Sequence, residues 1–225
     1  MGYRYRFSIL ALLKPRYSVE DRVLQYGPAA GKRLLNAVGG RAAYPPKGCV
    51  LLVDKAAKRC ELFIPSTQSS FIHAQWVSVR TYPALALSGV AGPKLREGDN
   101  QVPEGVYGVE FLNANSAFHL SLRLDYPNEF DRRQGKQDGR DDLGTDIMVH
   151  GPGGSRGCVC LSEEAIEELF VLAAEVGKEN MQVVIVPDEA AVLATPVKVP
   201  AGAPAWTAGL YEDLRRVVKE LRGMD

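Results

Sequence analysis

The chain has 225 residues, room for one large domain or a domain with appendages, and at 46% hydrophobic and 24% charged it has the composition of an ordinary globular protein with ample core. Lys+Arg and Asp+Glu stand at 27 each for a formal net charge of +0, so nothing advertises the basic surface that nucleic-acid binders need. The four cysteines, at irregular spacing, do not make a disulfide framework.

Arg4 and Arg6 precede a short apolar run, Phe7-Ser8-Ile9-Leu10-Ala11-Leu12-Leu13. A secretory signal needs that pattern plus a small-residue cleavage site. Lys14-Pro15-Arg16-Tyr17 offers none, so a buried helix or strand start explains the run at least as well. No stretch approaches the roughly 18 apolar residues that cross a bilayer. Residues 18–38 read as helix in two pieces. Ser18 suits the cap, Glu20 and Asp21 the first turn, and Val23 and Leu24 an inward face; Gly27-Pro28 breaks the run. Leu34, Leu35 and Val38 resume it before Gly39-Gly40 ends it. Residues 1–43 are therefore expected to form a helical extension packed on the domain that follows.

Tyr44-Pro45-Pro46 opens that main domain. Residues 49–53 and 60–64 predict two strands around a turn at 55–58, with Cys49 and Cys60 about three residues out of register and read as core thiols. Residues 74–82 predict a strand containing Trp76, with His73 at its start as a structural or surface residue. Residues 106–112 and 117–124 predict a further pair, the second carrying His119. Many short strands and few long helices make a β-rich α+β domain with mixed sheets. Residues 125–142 form a long polar segment, and a loop of that length inside a domain is functional or disordered. It lies just before the apolar run at 146–149, where it would cap a cleft. Residues 162–176 are the clearest helix, with Ile166, Leu169, Phe170, Ala173 and Ala174 on one face and Gly177 as the stop. A buried strand at 181–186 ends at Pro187. The Ala-, Val- and Pro-rich stretch at 190–204 reads as a linker or arm. Leu210, Leu214, Val217, Val218 and Leu221 then line one face of a terminal helix packed on the main domain.

The chemistry concentrates in Asp146-Ile147-Met148-Val149-His150-Gly151-Pro152-Gly153-Gly154-Ser155-Arg156-Gly157-Cys158. A strand ends in a histidine, and a glycine-rich loop delivers a cysteine back towards it. Thiolate is the nucleophile, and a neighbouring imidazole supplies it near neutral pH. Glycines at 153, 154 and 157 permit backbone angles that side chains forbid, and they free amides near Gly157 and Cys158 to face an oxyanion. No Gly-Lys-Ser/Thr follows, so the loop lacks the parts of a phosphate cradle. Cys158, Cys160 and His150 supply three zinc-ligand types, but no Cys-x-x-Cys or second clustered histidine completes a usual site; no metal and no cofactor is expected.

With these residues the chain resembles the L,D-transpeptidase catalytic domain family (the YkuD-like fold), and within it the YafK-like branch. The likeness rests on Asp146 to Gly151, Ser155 to Cys158 and the acidic helix ending in Glu167-Glu168-Leu169-Phe170. It extends upstream through Gly92-Pro93-Lys94-Leu95-Arg96-Glu97-Gly98-Asp99, Val102-Pro103-Glu104-Gly105-Val106-Tyr107, Asn113-Ala114-Asn115-Ser116-Ala117-Phe118-His119-Leu120-Ser121 and Asp125-Tyr126-Pro127-Asn128. It covers residues 44–187. The main transpeptidase group has a longer loop with histidine where Arg156 stands, and often an arginine where Cys160 stands.

The resemblance implies a catalytic domain over residues 44–189, followed by a linker and helix at 190–225. It implies Cys158 as nucleophile and His150 as base. Gly151, Ser155 and Gly157 would shape the loop and oxyanion site; Arg156, His119 and Tyr126 would meet substrate. The expected partner is a peptidoglycan stem peptide cut beside meso-diaminopimelate, without nucleic acid or a transmembrane segment, in the cell envelope or periplasm. Two other readings stand beside cross-linking by transfer. One is a cysteine amidase of the same fold that releases protein or peptide from peptidoglycan. The other is a non-catalytic module holding wall peptide or zinc.

Overall fold

Strands β1 (Cys49–Asp54) and β9 (Met181–Val186) run parallel through the middle of a nine-stranded mixed sheet. The computed structural model describes residues 16–67 and 75–224, so the apolar run at 7–13, His73 and Ala74 lie outside the described residues. β1 pairs antiparallel with β2 (Arg59–Pro65), which pairs with β3 (Trp76–Pro83) at one edge. On the other side, β9 is followed in space by β5 (Gly105–Asn113), β6 (Ser121–Leu124), β7 (Met148–His150), β8 (Val159–Cys160) and β4 (Ala86–Leu87).

That order dictates the shape. β3 ends at Pro83 and β4 begins at Ala86, yet they sit at opposite ends of the sheet, so the sheet must curl until its edges nearly meet. The corner between them is pinned on both sides. The Ala84 N–H donates to the Lys58 carbonyl at 2.9 Å, and the Leu85 N–H donates to the Cys160 carbonyl at 2.8 Å. The closure brings the chain after β4 alongside β8.

β1 and β9 are buried along nearly their whole length because helices cover both faces of the sheet. Alternation sends Leu51, Val53, Leu62, Ile64, Val183 and Ile185 to one core, shared with α3 (Glu163–Val176). Val50, Leu52, Phe63, Val184 and Val186 go to the other, closed by α5 (Thr207–Arg222) through Leu210, Leu214, Val218 and Leu221. Each such aliphatic side chain stabilises the fold by about 1.5–3 kcal/mol on burial. The architecture is mixed α+β.

The helix expected in two pieces is one, α1 (Val19–Val38), with Pro28 inside it. Proline removes one backbone hydrogen bond and crowds the carbonyl of Leu24. Leu24 lies on the exposed side of the helix, while Ala30, Leu34 and Val38 hold it in place from its buried face. Arg33 of α1 and Arg80 of β3 both grip the fully buried Glu168 carboxylate of α3, at 2.6 and 3.0 Å.

Three other expectations change. The strand predicted over 117–124 is strand only from Ser121, because His119 is left-handed at φ 71° and residues 117–120 form a turn. The polar segment at 125–142 contains a helix, α2 (Glu129–Gln137), started by a reciprocal cap between Asn128 and Asp131. The arm at 190–204 opens with a short helix, α4 (Glu189–Leu193). In the first hairpin Cys60 faces Val53, so the two cysteines are out of register as expected, and both are free and buried.

Candidate active site

β7 and β8 are parallel neighbours, with Val149 opposite Val159 and His150 opposite Cys160. Both valines are fully buried in the core. Alternation therefore turns His150 and Cys160 to the other face, and Cys158, one residue ahead of β8, lies diagonal to His150 on that face. The loop between them is shaped by close approach. Gly157 sits at φ 107°, and a Cβ there would meet the Gln101 carbonyl oxygen and Ile147 Cδ1 at 3.0 Å. A Cβ on Gly151 would collide with the Phe118 carbonyl oxygen, which accepts the Gly151 N–H at 3.1 Å.

His150 is 2% exposed. Its Nδ1 lies 2.7 Å from the Gly151 carbonyl oxygen, and a carbonyl only accepts, so Nδ1 carries the hydrogen. The neutral ring then holds its lone pair on Nε2, which has no partner among the described residues. Burial pushes the imidazole below its ordinary value, and the Gly151 carbonyl pulls it partly back. The Phe118 ring stacks on it.

Burial pushes the Cys158 thiol up. A backbone hydrogen bond from Met148 and the charge of the buried Lys94 oppose this, and the Asp146 carboxylate adds to it. The thiol points at the Asp146 carbonyl at 3.6 Å, where left-handed Asp146 (φ 57°) is held by Arg123 at 3.3 Å. The raised thiol and the lowered imidazole each favour their neutral forms at rest.

The loop is clamped by two serines. The Gly157 N–H donates to Ser88 Oγ at 2.7 Å; the two hydroxyls are 2.8 Å apart; Ser155 Oγ donates to the Cys158 carbonyl at 2.7 Å. The Ser88 N–H also donates to Ser155 Oγ, at 3.1 Å. Of the two amides expected to face an oxyanion, Gly157 is thus already engaged. The Cys158 N–H has no partner among the described residues.

The other predicted residues divide. Arg156 is exposed beside Cys158, and its guanidinium takes no partner among the described residues. His119 turns away from the loop: its Nε2 meets Glu167 at 3.0 Å and its ring lies edge-on to Tyr26 at 5.1 Å. It anchors the turn that carries Phe118 instead of lining a groove. Tyr126 is 3% exposed, donates to the Leu143 carbonyl at 2.8 Å and packs edge-on to Tyr107, so it is a core residue and offers no surface to substrate. Cys160 lies within hydrogen-bond reach of the Gly151 and Gly153 carbonyls, at 3.3 and 3.2 Å. Among the described residues no group of three or more His, Cys, Asp or Glu side chains is arranged to hold a metal. Sequence reading missed Ser88, which lies far from the loop in the chain, and named Lys94 only as part of a motif. It treated Phe118 only as part of a motif.

Residues 50–199 match the family model of the L,D-transpeptidase catalytic domain, YkuD. Two proteins assigned by name to the L,D-transpeptidases, YafK of Escherichia coli strain K12 and of E. coli O157:H7, are each 32% identical over 118 residues, which is 50% of this chain and 46% of theirs. The chain therefore spans about half the length of the curated relatives it matches. Among solved structures, the helical cell shape determining protein Pgp2 from Campylobacter jejuni aligns with a TM-score of 0.50 at 19% identity, covering 71% of this chain and 55% of that one. At that identity the likeness concerns the fold.

Proposed function

The chain belongs to the YkuD family of L,D-transpeptidase catalytic domains, and from that premise we propose that it is a cysteine acyltransferase acting on peptidoglycan stem peptides through a thioester on Cys158. The observation that carries this reading is the Nδ1–H···O=C bond from His150 to Gly151. It leaves Nε2 as the base on the face shared with Cys158.

As Cys158 Sγ attacks the donor carbonyl beside meso-diaminopimelate, its proton passes to His150 Nε2. The Cys158 N–H takes the tetrahedral oxyanion. Collapse breaks the C–N bond, and His150 returns the proton to the leaving amine. The thioester then waits for a second nucleophile. An acceptor amine gives up a proton to His150, forms the new amide and regenerates the thiol; water in the same place gives hydrolysis. Arg156 is free to take a substrate carboxylate by its bidentate fork. The chemistry carries a cell-envelope location with it. Among the described residues no helix is long and apolar enough to cross a membrane.

Intact mass after mixing the protein with a meso-diaminopimelate tetrapeptide tests the reading, beside a Cys158→Ala control. An adduct on the wild type alone, lacking the donor's terminal residue, is the expected result, and adding an amine separates transfer from hydrolysis. Intact tetrapeptide with no adduct overturns the donor assignment.

A further inference from the structure

We propose that Ser88 is a positioning residue for acyl transfer: its hydroxyl fixes the peptide between residues 157 and 158 so that the Cys158 N–H faces the oxyanion. The inference rests on the acyl-transfer reading above and adds a residue to it from outside the loop.

The direction of every hydrogen bond in the clamp follows from its ends. The Gly157 amide can only donate, so Ser88 Oγ accepts there. The Cys158 carbonyl can only accept, so the Ser155 hydroxyl hydrogen is committed to it. Between the two oxygens, 2.8 Å apart, the only hydrogen left is that of Ser88, which therefore donates to Ser155 Oγ. The result is a one-way chain from Gly157 N–H through Ser88 and Ser155 to Cys158 C=O. It grips the loop at an amide on one side of the nucleophile's Cα and at the carbonyl on the other.

Two consequences concern catalysis. With its N–H on Ser88, Gly157 is withdrawn from the oxyanion site, and the Cys158 N–H is left to serve it. The Gly157–Cys158 peptide carries that N–H, and its tilt is set by Ser88 holding Gly157 and Ser155 holding the Cys158 carbonyl. The anchor is rigid because Ser88 follows β4, which pairs with β8, and its own N–H and C=O are taken by Ser155 and by the Val102 amide at 3.1 and 3.3 Å. Ser88 touches neither the thiol nor His150 through any of these bonds, so it acts on the amide and leaves the nucleophile's basicity alone.

The experiment separates those two properties on the full chain. Wild type, Ser88→Ala and Ser88→Thr are each assayed for acylation by p-nitrophenyl acetate, which converts the Cys158 thiol to a thioester and releases p-nitrophenol, and by the meso-diaminopimelate tetrapeptide. Alkylation by iodoacetamide, which displaces iodide and builds no oxyanion, is measured alongside. For Ser88→Ala, acylation is expected to fall on the order of 10²-fold, with the tetrapeptide effect in kcat and not KM, while alkylation stays within about twofold. Ser88→Thr, which keeps the hydroxyl, restores most of the rate. Acylation unchanged in Ser88→Ala overturns the proposal, and so does an equal loss of acylation and alkylation, which marks Ser88 as a fold-holding residue only. Should Ser88→Ala not fold, Ser88→Cys, a weaker donor and acceptor in the same space, is read by the same ratio. Wild type acylated by the ester but not the peptide removes the donor assignment and leaves the Ser88 test intact. Wild type inert to both removes the acyl-transfer reading and this proposal together.

Discussion

The Phe118 ring lies over the His150 imidazole, with centroids 4.5 Å apart and planes at 29°. Phe118 is itself 41% exposed, so one ring face covers the histidine while the rest meets solvent at the site. Its place is fixed from behind by left-handed His119 and its contact with Glu167. Desolvation is the main cause of the lowered His150 basicity, and Phe118 is the aromatic cover that supplies part of it.

Removing that cover has a signed consequence. In Phe118→Ala the imidazole regains water and its basicity rises towards the free-histidine value of about 6.5. More of it is then protonated and unable to act as base, so the acid limb of the acylation pH–rate profile moves to higher pH. At pH 7 a histidine near 6.5 is still about three-quarters in its basic form, so the rate there changes by less than about twofold and the effect is read on the acid limb. A profile whose acid limb does not move would remove Phe118 from control of the base.

The raised Cys158 thiol makes a second pH prediction. Alkylation by iodoacetamide should climb steadily through the neutral range, with its midpoint on the alkaline side of an ordinary thiol, because thiolate becomes the main form only there. Asp146→Asn removes a nearby negative charge and should shift the midpoint down. A rate already at its plateau at neutral pH would mean a preformed thiolate–imidazolium pair, contrary to the neutral resting forms described above.

Glu168 is the ionic hinge between α1, α3 and β3. Its fully buried carboxylate meets Arg33, Arg80 and the Tyr82 hydroxyl. Glu168→Ala removes the buried acceptor that Arg33, Arg80 and Tyr82 share, leaving Arg33 with Glu164 and Glu167 and Arg80 with Glu164, and should cost about 1–3 kcal/mol, read as a lowered midpoint in urea. Glu168→Gln, which keeps an acceptor of the same shape, should cost less. Equal losses in the two variants would assign the effect to packing rather than charge.

Asp131, which caps α2 and meets the Tyr107 hydroxyl at 3.4 Å, is pushed up to about 6 by burial. A carboxyl raised in the folded state favours folding most when protonated in both states, below its unfolded value near 3.9. That contribution is lost as pH climbs through about 6. Stability should therefore drop by on the order of 2 kcal/mol between about pH 4 and 6 from this group, and Asp131→Asn should flatten the curve across that window. A wild-type curve with the same slope as the variant's would show that Asp131 stays ordinary in the fold.

The sequence by itself determined the elements whose signals are local. The helix at 163–176 is written in its apolar spacing and its Ser162 and Gly177 ends, and the strand at 181–186 in an apolar run interrupted only by Gln182. His150 and Cys158 were legible because a histidine ending a strand and a cysteine ending a glycine-rich loop are close in the chain, and because the surrounding motifs resemble one family. Only the tertiary structure decided the rest. Pro28 looked like a break because local propensity knows nothing of the buried face that keeps α1 one helix. α2 looked like loop because its residues are polar and its cap lies in one Asn–Asp exchange. Tyr126 looked available until packing spent its hydroxyl on Leu143. Ser88 carried no signal at all: it reaches Ser155 across 67 residues, through a sheet curled until β4 lies beside β8. Periodicity and spacing report what neighbours along the chain do together, whereas a hydrogen bond between distant segments exists only once the fold has placed both ends.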